Sequence, residues 1–328
     1  MPPDGARRNV TPGRADSPPL RVIAGATATG KTGLSLEVAR ALRAEGVVAE
    51  IISADSRQVY RGLDVGTAKV PPEARAEIPH HGLDLVEPDE PFSVANFVRH
   101  ARAALAAIAG RAAAGRGKAL AILVGGTGLY LRAVARGLDV ESLPADPDVR
   151  AGIEATIVGE GLHVAVARLR SLAPTLASRI DLANPRRVAR ALEIAELRGD
   201  APPPPPLGYP GPVAWIGLRL PADVHRRWIE RRAREQFEAG LVDEARILRE
   251  RYDPALPAFS AIGYREAWAV LDGELTLEAA IALAARRNLQ FAKRQATWFR
   301  SEPDVEWLDA SSGALPRALV AGRSLVTG

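Results

Sequence analysis

Two short stretches hold the residue types whose spacing could do chemistry. The first is Gly25-x-x-x-x-Gly30-Lys31-Thr32, within V-I-A-G-A-T-A-T-G-K-T from Val22 to Thr32. Glycines at both ends let the backbone curl so that successive N–H groups point inward at an anion. Lys31 can reach terminal phosphates, and the Thr32 hydroxyl can ligate a magnesium ion. Gly25, Ala26, Thr27, Ala28, Thr29, Gly30, Lys31 and Thr32 are therefore the candidate phosphate-binding residues, with Thr32 the metal ligand. The second stretch is Asp55-Ser56-Arg57-Gln58. In an open α/β sheet, ligands sit outside the carboxyl ends of the strands, so Asp55 would emerge beside the phosphate loop. A lone Asp after a strand also commonly caps a turn. Spacing leaves both roles open.

The elements that must position these groups can be read from apolar pattern. Leu20 to Ala24 is a short apolar run that predicts a buried strand, followed by a helix from Thr32 to Arg43, and Ala49 to Ser53 predicts a second strand. Gly62 to Asp84 reads as loop, and its adjacent His80-His81 point different ways, which suits a structural role better than a metal site. Ser93 to Arg116 predicts a helix capped by Ser93. Ala119 to Val124 predicts another buried strand, followed by Gly125-Gly126-Thr127. A nucleoside triphosphatase usually ends such a strand in a metal-binding Asp. Glycines there allow close approach of a ligand, with Thr127 a candidate contact, or simply a tight turn.

Pro144 to Gly199 is mostly helical in pattern, Pro202 to Pro206 is a stiff spacer, and Val213 to Leu218 returns to strand character. Gly137 to Gly211 thus reads as a helical insertion between residues 20–136 and 212–328 of an α/β core. Asp223 to Arg251 predicts one long helix and Leu277 to Arg300 a last one, both rich in Arg.

Composition narrows the classes. The chain has 328 residues, 47% apolar and 25% charged, as soluble globular proteins do. No cysteine is present, which excludes disulfides, thiolate metal sites and a thiol nucleophile. No run is long enough for a membrane span. Met1 to Pro19 carries five prolines and no apolar core, so a disordered tail and a cytoplasmic protein are expected. Net charge is only +4, with a pI near 9.7, but the basic residues cluster in three helical patches. Aromatics interleaved with Arg and Lys in Phe291 to Arg300 suit an unpaired base on a polyanion.

Several long motifs resemble one family, the bacterial tRNA dimethylallyltransferases. They are the phosphate loop, I-S-A-D-S-R-Q-V-Y-R-G-L-D-V-G-T-A-K (Ile52 to Lys69), P-H-H-G-L-D (Pro79 to Asp84) and F-S-V-A-N-F (Phe92 to Phe97). L-V-G-G-T-G-L-Y-L (Leu123 to Leu131), Arg186 to Glu193, A-I-G-Y-R-E (Ala261 to Glu266) and A-K-R-Q-A-T-W-F-R (Ala292 to Arg300) complete the set. The resemblance implies an α/β fold: a core similar to P-loop nucleoside triphosphatases, a parallel sheet with a helical insertion that clasps the anticodon arm, and C-terminal helices. It also implies a monomer that transfers the dimethylallyl group of dimethylallyl diphosphate to the N6 amine of the adenine immediately 3′ of the anticodon in tRNA, with magnesium.

By the same resemblance Asp55 is the general base, with Ser56, Arg57 and Gln58 beside the adenine. Thr27 to Thr32 hold the diphosphate. Thr127, Arg187, Arg190, the Ser260 to Arg265 loop (Gly263, Tyr264 and Arg265 within it) and Lys293, Arg294 and Gln295 contact tRNA. The chain departs from the family in Ala26 for Pro, Thr29 for Ser, Trp228 where Arg is usual, and Asn288-Leu289 for Thr-Arg. A kinase acting through the same loop on ATP, or a non-catalytic RNA-binding relative, are the competing functions.

Overall fold

The structure, a computed structural model, describes residues 17–327. Most of the tail expected to be disordered thus lies outside the described residues. Residues 17–19 are held: the Pro18 carbonyl accepts from the Tyr209 hydroxyl at 2.6 Å and the Pro19 carbonyl from the Ala121 N–H at 3.0 Å.

Six parallel strands form one sheet: β1 (Leu20–Gly25), β2 (Val48–Ser53), β3 (His80–His81), β4 (Ala119–Gly125), β5 (Val213–Arg219) and β6 (Val305–Asp309), in the order β3-β2-β4-β1-β5-β6. β1 lies between β4 and β5, Leu20 pairing with Ala121 on one side and Val213 on the other. All six residues of β1 are buried. Helices cover both faces of a parallel sheet, so its central strand is buried without alternation, Arg21 included at 2% exposure. Parallel strands put every carboxyl end on one edge. The loops after β1, β2 and β4 therefore meet there, and these are the loops that carry Lys31, Asp55 and Thr127.

The helices of this unit are α1 (Lys31–Ala44), α2 (Pro72–Glu77), α3 (Val94–Ala114) and α4 (Gly128–Ala135) before the insertion. Ser93 caps α3 as predicted; its hydroxyl accepts from the Asn96 N–H while Asn96 reaches back to the Ser93 N–H. Inside the stretch read as loop, α2 and β3 form, β3 through only two pairs with β2.

The insertion is a second unit, Gly137–Leu207; the sequence pattern put its end at Gly211. It contains α5 (Pro147–Gly159), α6 (Leu162–Leu172), α7 (Pro174–Ala177) and α8 (Pro185–Arg198). Three of these start on proline, whose missing N–H costs nothing in the first turn. Asp146 and Asn184 cap α5 and α8. Ile153, Leu169, Val188 and Leu192 are the centre of its core. Buried Glu193 accepts from Arg150, Arg190 and the Asp146 N–H, tying α8 to the start of α5.

After the insertion come α9 (Ala222–Glu238), α10 (Leu241–Arg251), α11 (Tyr264–Leu271), α12 (Leu277–Arg300) and α13 (Leu315–Thr327). The single helix predicted over Asp223 to Arg251 is two. Gly240 adopts φ +98°, a left-handed conformation that ends α9 and starts α10. The apolar stripe survives the break, with Phe237, Leu241, Ala245 and Leu248 all in one buried cluster. β6 and α13 extend the sheet and its cover beyond the predicted elements. Among the described residues no helix is long and apolar enough to cross a membrane.

Candidate active site

A cavity of about 840 Å³ opens at the carboxyl edge of the sheet. The phosphate loop, Asp55, the 64–72 segment and one face of α9 line it. The loop is built as its glycines require. A Cβ on Gly25 would lie 2.8 Å from the Leu218 carbonyl oxygen, and Gly30, at φ +82°, caps α1. Ala28 is also left-handed, at φ +56°, so the curl uses a non-glycine residue as well.

Thr27 is gripped from distant parts of the chain. Its N–H donates to Gln295 Oε1 at 2.8 Å and its carbonyl accepts from His225 Nε2 at 2.8 Å, while its hydroxyl accepts from Arg232 Nη1 at 3.1 Å. Gln295 Nε2 also donates to the Gly126 carbonyl, which joins the loops after β1 and β4. Within the loop, Thr29 Oγ1 and Lys31 Nζ both donate to the Ala26 carbonyl. Burial, then the adjacent Arg232 charge, lower the Lys31 ammonium to about 7, with Asp55 pulling the other way. Burial also lowers Arg232, and Asp55 and Glu235 oppose that. The Thr32 hydroxyl makes no hydrogen bond to the described residues. A hydroxyl at this place suits magnesium, which takes few protein oxygens and fills its shell with phosphates and water.

Asp55 does what each of its two readings requires, with one oxygen each. Oδ1 accepts from the Arg57 N–H at 2.8 Å and the Gln58 N–H at 3.4 Å, a turn cap. Oδ2 accepts nothing from the described residues, and the carboxylate lines the cavity. Ile51, Val70, Leu83 and Val124 supply apolar wall to the same cavity.

The other predicted contacts divide. Ser56 and Thr127 meet: the Ser56 N–H donates to Thr127 Oγ1 at 3.1 Å. Gln58 lines the cavity, but its amide is held by Ser53, Thr67 and Ala68. Arg57 donates to the Pro257 carbonyl at 2.9 Å. The glycines after β4 admit protein. A Cβ on Gly125 would strike Ala54, and one on Gly126 or Gly128 would strike Gln295 or Trp298. Gln295 is buried on the phosphate loop, and Tyr264 is fully buried with its hydroxyl on Glu244 at 2.7 Å. Neither presents a free side chain, because both tie distant segments together. Ser260 donates to Pro257 and Gly263 is buried at φ +118°, whereas Arg265, Lys293 and Arg294 are exposed. Arg187 is exposed on α8, while Arg190 is committed to Glu193 and the Pro144 carbonyl. His81 bonds Glu50 and His80 Nδ1 donates to the Ile78 carbonyl, while His80 also lines the cavity and its buried Nε2 has no partner among the described residues.

Arg232 and His225 were missed by sequence reasoning, which saw only a basic helix. The spacing Trp228, Arg231, Arg232, Glu235 marks one helical face, but nothing local says that this face meets the phosphate loop. Leu289 packs with Ala26, Ile229 and Ala292 in a small apolar cluster that includes part of that loop.

The comparisons agree with one another. A relative in Roseiflexus castenholzii, a tRNA dimethylallyltransferase, is 43% identical over 301 residues, 90% of this chain and 94% of that one. The crystal structure of a tRNA isopentenylpyrophosphate transferase from Bacillus halodurans aligns with TM-score 0.64 at 38% identity, covering 93% of this chain and 94% of that one. A eukaryotic dimethylallyltransferase acting on tRNA shares the fold at TM-score 0.75 and 24% identity, over 95% of this chain and 80% of that one. The family model described as IPP transferase matches residues 58–302, and the chain belongs to that family.

Proposed function

We propose that the protein transfers the dimethylallyl group of dimethylallyl diphosphate to the N6 amine of the adenine immediately 3′ of the anticodon in tRNA, releasing diphosphate. Its tRNAs are those reading codons that begin with U, and it acts as a cytoplasmic monomer. One observation carries the reading: the phosphate-gripping loop and the unengaged oxygen of Asp55 line one cavity with apolar wall around them. The amine of adenine is a poor nucleophile, its lone pair delocalised into the ring. Asp55 Oδ2 accepts a hydrogen bond from that N–H and takes the proton as nitrogen bonds to the allylic carbon. Oδ1, held by two backbone N–H groups, keeps the carboxylate aimed.

The carbon–oxygen bond to diphosphate breaks in the same step. The negative charge that gathers on the leaving group meets the N–H groups of the loop, Lys31 and Arg232. Thr32 would hold magnesium, which supplies further neutralisation of the diphosphate. The apolar wall keeps water from the cationic allylic carbon. Arg187 on α8, with Arg265, Lys293 and Arg294, supplies phosphate contacts to tRNA. The insertion has ten Asp and Glu against eight Arg, so particular arginines, not net charge, do this. A kinase would need an acid after β4, where Gly125-Gly126-Thr127 stands.

The test is incubation with tRNA, magnesium and dimethylallyl diphosphate, followed by digestion and mass measurement of the nucleosides. One modified adenosine, heavier by a dimethylallyl group in place of hydrogen, is expected. Phosphoryl transfer from ATP without that product would overturn the reading.

A further inference from the structure

Five Lys and Arg side chains line the cavity, and four are already engaged. Lys69 donates to the Tyr60 carbonyl, Asp64 and Asp84, and Arg75 to the Val70 carbonyl and Asp84. Lys31 and Arg232 are fixed on the phosphate loop. Arg231 is the exception. Its side chain is 64% exposed, and its one ion pair among the described residues, with Glu235, is 3.6 Å long, beyond a good hydrogen bond.

Its position is set by Trp228, one turn earlier on α9. The edge of that indole lies 3.5 Å from where a Cβ on Gly30 would be, so the ring rests against the positive end of α1. The Arg231 guanidinium lies over the same ring, 5.6 Å from its centroid. An aromatic face holds a guanidinium by its own face and leaves the N–H fork free in plane, which suits a phosphate. Two phosphoryl groups also carry more charge than Lys31 and Arg232 neutralise.

We propose that Arg231 is a clamp on the outer phosphate of the bound diphosphate, exchanging Glu235 for that anion, with the Trp228 indole as its rest. The proposal builds on the diphosphate donor of the function above and adds a binding residue to it. It also gives Trp228 a role: the ring carries a mobile cation at the mouth of the cavity.

Calorimetric titration with inorganic pyrophosphate and magnesium tests it on wild type, R231A, W228A and the double variant. Arg231→Ala should weaken pyrophosphate on the order of tenfold, an exposed charge-assisted contact being worth about that. Trp228→Ala should weaken it less, and in that background the loss from R231A should shrink, because the ring positions the cation. Affinity for tRNA alone should stay within about twofold, as expected when no phosphate of the RNA is involved. Pyrophosphate binding within twofold of wild type in R231A, full additivity of the two changes, or a loss confined to tRNA would each overturn the proposal. Wild type that fails to bind pyrophosphate at all would instead overturn the diphosphate reading beneath it.

Discussion

Donor binding should take up a proton, and its strength should fall as the pH rises above neutrality. The Lys31 ammonium lies at about 7, against an ordinary value of 10.5, because it is buried beside Arg232. A diphosphate raises it again, so between about pH 7 and the value in the complex the bound state carries the extra proton. The protonated fraction drops from about one half at pH 7 to about one hundredth at pH 9, which makes the expected loss of affinity about 50-fold. Phosphate groups finish ionising near pH 6, so the charge of the donor is constant over this window. Titration with dimethylallyl diphosphate in the absence of tRNA, in two buffers of different ionisation enthalpy, should report uptake of about half a proton at pH 7 and about 0.9 at pH 8. Lys31→Arg keeps its charge, so its profile should be flat even where affinity is lower. The same shift acts on folding with the opposite trend. The unfolded lysine holds its proton to higher pH, so the empty protein should gain stability between pH 7 and 10.5 while donor affinity falls. A wild-type profile flat from pH 7 to 9, or an equal slope in the arginine variant, would refute the reasoning.

Asp55→Asn keeps the Oδ1 turn cap but cannot take a proton. Single-turnover prenyl transfer should fall by about 10²–10⁴-fold with tRNA and donor affinities within a few-fold, and a wild-type rate would end the general-base role. Arg187→Ala should reduce both tRNA affinity and the slope of its salt dependence, by about one counterion, in filter-binding titrations from low to moderate salt. Arg190→Ala should instead act on stability, because it strips a partner from buried Glu193. Gly66→Ala should destabilise the fold by about 1–3 kcal/mol in urea unfolding. Its Cβ would lie 2.5 Å from the Tyr264 ring, which cannot move without losing Glu244, the residue that also accepts from the N–H groups of Asp64, Val65 and Gly66.

The sequence by itself determined what is local. Gly25 to Thr32 specifies a phosphate loop because N–H direction and helix dipole depend only on neighbours. The mostly apolar β1, β2 and β4 specify a buried parallel sheet, Arg21 and Glu50 being the charged exceptions, and the strand ends place Asp55 beside Lys31. Ser93 announces its helix for the same reason. Tertiary structure alone decided which distant residues converge. Thr27 is held by Gln295, 268 positions away, and by Arg232 and His225, 205 and 198 away. No periodicity carries such information, since a basic helical face looks the same whether it meets solvent or a phosphate loop. The glycines after β4 are the converse case. Spacing shows that something approaches closely, and only the packed chain shows that it is Ala54, Gln295 and Trp298. The stop at Gly240 was hidden for a related reason: the apolar stripe continues across it, because both helices bury the same side in one cluster.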